Sequence, residues 1–302
     1  MTTTYHDPVL LTECLDALDI KPGGTYVDVT FGGGGHSRAI LERLEGGKLL
    51  AFDQDADARA NAEAVTDPRL TFIPANFRNL KRFLRLYGVK QVDGILADLG
   101  ISSHQIDTPE RGFATRFDAD LDMRMDQQAA ISAKQVLNSG TEQELHRILG
   151  MYGEITNART VATAIVSARA NRQLRTINDL KTALHRYAPR GKENKFFAQV
   201  FQAIRIEVNE ELKVLEEFLE QTPDLLKPGG RLVVMSYHSL EDRLVKNYIN
   251  KGKFHGEVDK DLYGNELKPL QAVNRKPIEA SDEEVSRNPR ARSAKLRVAE
   301  KQ

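Results

Sequence analysis

The chain has 302 residues, 43 of them basic and 43 acidic, so its formal net charge is zero and whole-molecule charge gives no argument for a nucleic-acid partner. Hydrophobic residues make up 40% and charged residues 28%, which excludes a disordered polyelectrolyte and suits a globular chain with a sizeable core, in one large domain or two. The single cysteine, Cys14, excludes an intramolecular disulfide framework and fits a reducing, cytoplasmic setting, while no apolar run reaches the roughly 18–20 residues that cross a bilayer and no basic leader precedes an apolar run at the N-terminus.

Pro8 to Leu18 predicts an amphipathic helix, with Leu11, Leu15 and Leu18 at helical spacing, closed by the turn Lys21–Gly24. TYVDVTF reads as a strand, GGGGHS as a loop and RAILERLE as a helix. KLLAFD is the next strand, with Asp55 as the cap of a helix over ADARANAEAV. RLTFIPA and VDGILADLG read as two more strands. Strand and helix in alternation predict an α/β, doubly wound parallel sheet.

The rhythm stops after Gly100. Residues 101–126 read as a long loop, and the segments AAISAKQVLN, TEQELHRILGMY, RTVATAIVSARA and INDLKTALHRY are helical. One long helix is expected over FFAQVFQAIRIEVNEELKVLEEFLEQ, and the strand pattern returns at Gly230–His238 and again at Ala294–Glu300. A helical domain, residues 107–198, is therefore expected inside a discontinuous α/β domain formed by residues 1–106 and 199–302.

The chemistry gathers first in the glycine loop. The first strand brings Asp28 to its end, and Gly32 to Gly35 follow. Glycines let a backbone turn sharply and approach a ligand closely, and the helix that follows offers N–H groups with no partner in their own helix. Asp53 ends the second strand, 19 residues beyond Gly34, where an acid can accept both ribose hydroxyls of an adenosine. A nicotinamide dinucleotide satisfies the same geometry, and a tight turn with no ligand is the plainer alternative. A P-loop is excluded, because no Lys-Ser/Thr follows the glycines. His36 at the helix start is either a cofactor contact or a packing residue. Asp53 and Asp55 alone make a poor metal site, and no metal is expected.

Four stretches define a resemblance: HDPVLLTE (His6–Glu13), VDVTFGGGGHS (Val27–Ser37), DGILADLGISSHQID (Asp93–Asp107) and SYHSLEDRLVK (Ser236–Lys246). RGF (Arg111–Phe113), LDMRMD (Leu121–Asp126), FQAIRIEVNEEL (Phe201–Leu212) and NPRARSAKLRVAE (Asn288–Glu300) extend it nearly end to end. Together they resemble the bacterial 16S ribosomal RNA cytosine-N4 methyltransferases of the MraW type. The resemblance implies a Rossmann-like seven-stranded methyltransferase sheet with an inserted helical, RNA-recognising domain. It implies S-adenosyl-L-methionine as cofactor and the N4 amine of a decoding-site cytidine, cytidine 1402, as acceptor in the small ribosomal subunit. By motif, it implies cofactor contacts from Gly34, Gly35, His36, Asp53, Phe77, Asp98 and Gln105. The chain departs from the family at Gly33, His104, Ala114 and Tyr237, where arginine, proline, serine and phenylalanine are common; this puts local loop shape in doubt.

An exocyclic amine attacking a sulfonium methyl needs orientation and a proton acceptor, not a metal. Asp98, at the end of the fourth strand, is the first candidate, with Ser102, Ser103 and His238 behind it. Each serine is weighed against a turn hydrogen bond, and His238 against a structural bond at a strand end. Cys14 sits among leucines, which argues for burial and against thiolate chemistry at cytosine C5. Basic residues gather between Met151 and Val200 and again at Arg290, Arg292, Lys295 and Arg297, as candidate phosphate contacts, with Arg124 and Arg243 nearer the site. A solvated helix face is the plainer reading of such runs. The alternatives in function are an NAD-dependent dehydrogenase and a non-catalytic RNA-binding assembly protein. No membrane partner is expected, and the sequence is compatible with a monomer or a homodimer.

Overall fold

A computed structural model describes residues 8–302. His6 and Asp7 of the first motif lie outside the described residues. The chain divides into two compact units, residues 1–100 with 212–302, and residues 101–211.

The first unit begins with helix α1 (Leu11–Leu18), strand β1 (Thr25–Asp28), α2 (Gly35–Arg43) and β2 (Lys48–Phe52). It continues through α3 (Ala56–Glu63), β3 (Leu70–Ile73), α4 (Leu80–Leu86) and β4 (Val92–Asp98). α3 starts where the sequence places it, because the Asp55 side chain accepts from the Asp57 N–H at 3.1 Å.

The second unit is helical: α5 (Ser103–Asp107), α6 (Ala133–Ser139), α7 (Glu142–Met151), α8 (Ala158–Asn171), α9 (Ile177–Leu184) and α10 (Glu193–Asn209). Its starts are written as reciprocal caps, Ser132 with Gln135, Thr141 with Glu144 and Thr176 with Asp179. Its core is its own, built on residues such as Leu137, Ile148, Val161, Ile177 and Phe196. This unit runs from Ile101 to Glu211, wider than the 107–198 expected, because α5 and all of α10 belong to it.

The single long helix expected through residue 221 is two. Glu210 adopts φ 49°, a left-handed conformation that ends α10, and α11 (Glu211–Leu225) starts afresh. The Asn209 side chain supports the break. Its amide donates to the carbonyls of Met123 and Arg205, and its oxygen accepts from the Met125 N–H.

The chain returns to the first unit at Leu212, within α11, and continues through β5 (Leu226–Ser236), α12 (Ser239–Lys251), β6 (Leu270–Ala272), α13 (Asp282–Arg287) and β7 (Lys295–Lys301). The seven strands lie in the order β3-β2-β1-β4-β5-β7-β6. β1 to β5 pair in parallel, and β7 runs antiparallel between β5 and β6. Strand order reverses between β1 and β4, the switch point where open α/β sheets bind ligands beyond their carboxyl ends. One face packs Val27, Ile95, Phe218 and Val245, and the other packs Leu10, Cys14, Ile40 and Leu96. Among the described residues no helix is long and apolar enough to cross a membrane.

Candidate active site

Register brings three carboxylates to the switch point. Asp28, the last residue of β1, pairs with Ala51 on one side and Leu96 on the other. Asp53, just past the end of β2, and Asp98, the last residue of β4, each stand two residues beyond the partner of Asp28, so they flank it at the carboxyl edge.

Asp28 is buried and fully engaged in local structure. Its Oδ2 accepts from the Ser37 hydroxyl at 2.6 Å, and its Oδ1 accepts from the Thr30 N–H at 3.0 Å. Burial raises its pKa, and those hydrogen bonds oppose the rise. Asp28 therefore fastens the glycine loop to the first turn of α2.

Asp53 carries the adenosine expectation. Its Oδ2 accepts from the Gly32 N–H at 2.7 Å and its Oδ1 from the Asp55 N–H at 2.8 Å. Each oxygen retains further acceptor capacity. Burial, with the nearby charges of Asp55 and Asp28, pushes its pKa up to about 6, against those two bonds. A fixed, poorly solvated acceptor is suited to polar hydrogens such as ribose hydroxyls.

The glycines are explained partly by packing. A Cβ on Gly34, whose φ is +77°, would lie 2.7 Å from the Phe31 ring, and one on Gly35 would lie 2.4 Å from Pro8 Cγ. Both positions demand glycine whether or not a ligand approaches. Gly34 also precedes α2, so the first N–H groups of that helix have no acceptor within it.

The His36 ring is buried, with Nε2 donating to the Val9 carbonyl at 3.1 Å and Nδ1 standing 3.7 Å from Asp98 Oδ2. Its imidazole thus has a packing role. Asp98 also accepts at Oδ1 from the Tyr237 hydroxyl at 2.8 Å, and its backbone N–H donates to Thr30 Oγ1 at 2.7 Å. Burial raises the Asp98 pKa to about 6, against the opposing influences of His36 and Tyr237. Phe77 follows β3, half-buried edge-to-face on Phe218 with ring centroids 5.2 Å apart. Beside it Asn76 donates to Gln54 Oε1 at 2.7 Å.

The remaining candidates serve as helix caps. Ser102 accepts from the Gln105 N–H at 3.1 Å while Gln105 Oε1 accepts from the Ser102 N–H at 3.0 Å. These two and Ser103 belong to the helical unit. His238 precedes α12, its Nδ1 accepting from the Glu241 N–H at 3.4 Å and its Nε2 lying 3.2 Å from Glu241 Oε1. Cys14 is fully buried, and desolvation pushes its thiol well above the ordinary range.

The basic residues divide by exposure. Arg159, Arg172, Arg175, Arg186, Arg190, Lys192 and Lys195 are exposed, as are Arg243 and Arg292. Arg297 is not available as a phosphate contact. It is 8% exposed and grips Asp242 through two bonds of 2.6 and 3.1 Å, joining β7 to α12. Arg124 lines a polar cleft of about 290 Å³ inside the helical unit, with its guanidinium held by both oxygens of Asp122.

The MraW methylase family model matches residues 3–302. The chain belongs to the MraW methylase family. A Cytophaga hutchinsonii protein named ribosomal RNA small subunit methyltransferase H is 60% identical over 298 residues, covering 99% of this chain and all of the relative. The Flavobacterium johnsoniae protein of the same name is 59% identical over 304 residues, with both chains covered completely. A Parabacteroides distasonis relative, again of that name, is 53% identical over 299 residues, covering 98% of this chain and 97% of the relative. This MraW-family chain is an enzyme, a methyltransferase whose methyl donor is S-adenosyl-L-methionine. Membership sets aside the dehydrogenase and the non-catalytic readings. Asp53 and Asp98, half-buried acceptors at the switch point, suit a ligand whose ribose offers hydroxyls and whose sulfonium is cationic.

Sequence reasoning missed Tyr237 as a partner of Asp98, Thr30 as the support of its backbone, and the Gln54–Asn76 pair. The SYHSLEDR motif carried a signal for the first, read only as a departure from the family. Thr30 lies within the Val27–Ser37 stretch and Asn76 beside Phe77, and neither was read as a site residue.

Proposed function

We propose that this chain methylates the exocyclic N4 of a decoding-site cytidine, cytidine 1402, in 16S ribosomal RNA of the small subunit, in the cytoplasm. The observation that carries the choice of atom is Cys14. It is the only cysteine, it is 0% exposed, and its thiol is held protonated by burial. Methylation at ring carbon C5 ordinarily calls for an accessible thiolate to add to the base. An amine acceptor needs only orientation and a base.

S-adenosyl-L-methionine supplies an electrophilic methyl group when bound. Asp53 accepts its ribose hydroxyls, and Phe77 packs beside its adenine. The backbone N–H groups of Gly35 and His36, at the start of α2, receive its carboxylate, favoured there by the helix dipole, while the Gly34 N–H donates to the Phe31 carbonyl at 2.7 Å and shapes the turn that presents them. Asp98 stands at the reacting end. With a pKa near 6 the Asp98 carboxylate is ionised at neutral pH and is a stronger base than an ordinary aspartate. It takes the proton that N4 gives up as the N–CH3 bond forms. His238, engaged as the cap of α12, holds the turn that follows β5. The cytidine leaves its stack to reach the donor. The helical unit, residues 101–211, with its exposed arginines and lysines, receives the RNA backbone.

The test is transfer of labelled methyl from S-adenosyl-L-methionine to small-subunit RNA, followed by mapping of the modified nucleotide. Label on N4 of cytidine 1402 supports the reading. Label on ring C5, or on another nucleotide, overturns it.

A further inference from the structure

One hydrogen bond at the reacting end belongs to none of the roles above. Tyr237 is the first residue beyond β5, and Asp98 ends β4. The two strands are parallel neighbours with Asp98 opposite Met235, and the Leu99 N–H donates to the Met235 carbonyl at 2.9 Å. That register brings Tyr237 beside Asp98, and the phenol hydroxyl meets Asp98 Oδ1 at 2.8 Å. The Tyr237 backbone is fixed in turn, because its N–H donates to Glu241 Oε2 at 3.0 Å. Its ring packs against the core that holds Leu10, Cys14 and Leu96. Both ends of the hydrogen bond are anchored on separate strands.

We infer that Tyr237 is the positioning residue for Asp98, its hydroxyl fixing Oδ1 so that the carboxylate stays ionised and turns Oδ2 toward the reacting groups. The inference rests on the reading of Asp98 as proton acceptor. Asp98 needs such support, because several neighbours work against its charge. Asp28 on β1 and Glu241 on α12 repel it, and burial penalises it. His36 on α2, 3.7 Å from Oδ2, favours the charge. The Cys14 thiol on α1 stays protonated. Tyr237 is a neutral donor, and its own pKa is driven well above 10 by burial and by Asp98. It therefore donates at every working pH and never competes as an anion. A hydrogen bond to the charged form lowers an acid's pKa, so removal of the hydroxyl raises that of Asp98.

The test is Tyr237→Phe in the full chain, with two readings. Carbon-13 NMR of labelled aspartate carboxyls, with Asp98 assigned through Asp98→Asn, follows the titration without RNA or donor. The expected result is a rise in the Asp98 midpoint of about one pH unit, which is about 1.4 kcal/mol. Methyl transfer against pH then shows the acid limb moved up by the same amount, and a plateau at pH 9 lowered by the loss of orientation. 3-Fluorotyrosine at position 237, a stronger donor in the same shape, moves both midpoints down. An unchanged midpoint in the Phe protein, or a plateau equal to that of the unaltered protein, overturns the inference. A moved NMR midpoint with an unmoved rate limb overturns instead the reading of Asp98 as acceptor.

Discussion

Replacing Asp53 with Asn separates binding from folding at a single carboxylate. In the folded chain its pKa is about 6, against about 3.9 for an unfolded aspartate. Holding the charge therefore costs about 3 kcal/mol at pH 8. The sign follows from the raised value. The stability contributed by the protonated form is full below the unfolded pKa, near 4, and is lost as pH rises through 6. Asn removes that cost. It also accepts at only one atom, so one of the Gly32 and Asp55 N–H groups faces an amide NH2, which costs about 1–3 kcal/mol. The two effects offset, leaving stability at pH 8 within about 2 kcal/mol of the original, with the variant relatively weaker at pH 5. Cofactor binding has no such compensation. One charge-assisted acceptor for a ribose hydroxyl is lost, about 1.5–3 kcal/mol, or roughly 10- to 150-fold in Kd. Urea unfolding at pH 5 and 8, with calorimetric titration of S-adenosylhomocysteine, measures both. Unchanged affinity, or a stability loss beyond about 3 kcal/mol at pH 8, would refute the assignment.

Arg297→Ala strips the partner from Asp242 between β7 and α12, and denaturant unfolding should show a loss of about 3–5 kcal/mol while salt dependence of RNA binding is unchanged. A steeper or shallower salt slope would restore Arg297 as a phosphate ligand. Gly34→Ala places a Cβ at positive φ and 2.7 Å from Phe31, so thermal unfolding should show a destabilisation of about 1–3 kcal/mol even without cofactor. An unshifted transition would mean that the loop relaxes freely. Reversing Arg190 and Lys192 to Glu should weaken RNA binding and reduce its salt slope, by about 0.7–0.9 for each phosphate no longer neutralised, with cofactor affinity unaltered. Equal affinity across salt would place the RNA elsewhere.

Much of the fold was legible because its signals are local. The short apolar runs became β1, β2 and β4, and Asp55 caps α3 as its position before an alanine-rich helix implied. Asp53 and Asp98 could be picked out because a parallel strand delivers its last residue to a fixed edge. The rest depended on interactions between distant segments. Nothing within residues 196–221 announces the break at Glu210, which Asn209 stabilises through Met123 and Met125. The short strand β6 exists through pairing with β7 rather than through its own pattern. The glycine loop read as a ligand cradle, but Pro8 and Phe31 already require Gly35 and Gly34. Arg297 looked like one more exposed cation until Asp242 was placed against it.

The site comes down to which atom of which base receives the methyl group. Incubation of the protein with S-adenosyl-L-methionine labelled in the methyl group and with small-subunit RNA, then nuclease digestion and mass spectrometry, reads that atom directly. The expected result is N4-methylcytidine at position 1402, abolished by Asp98→Asn. A product methylated at ring C5, or no transfer to RNA in any assembled form, would contradict it.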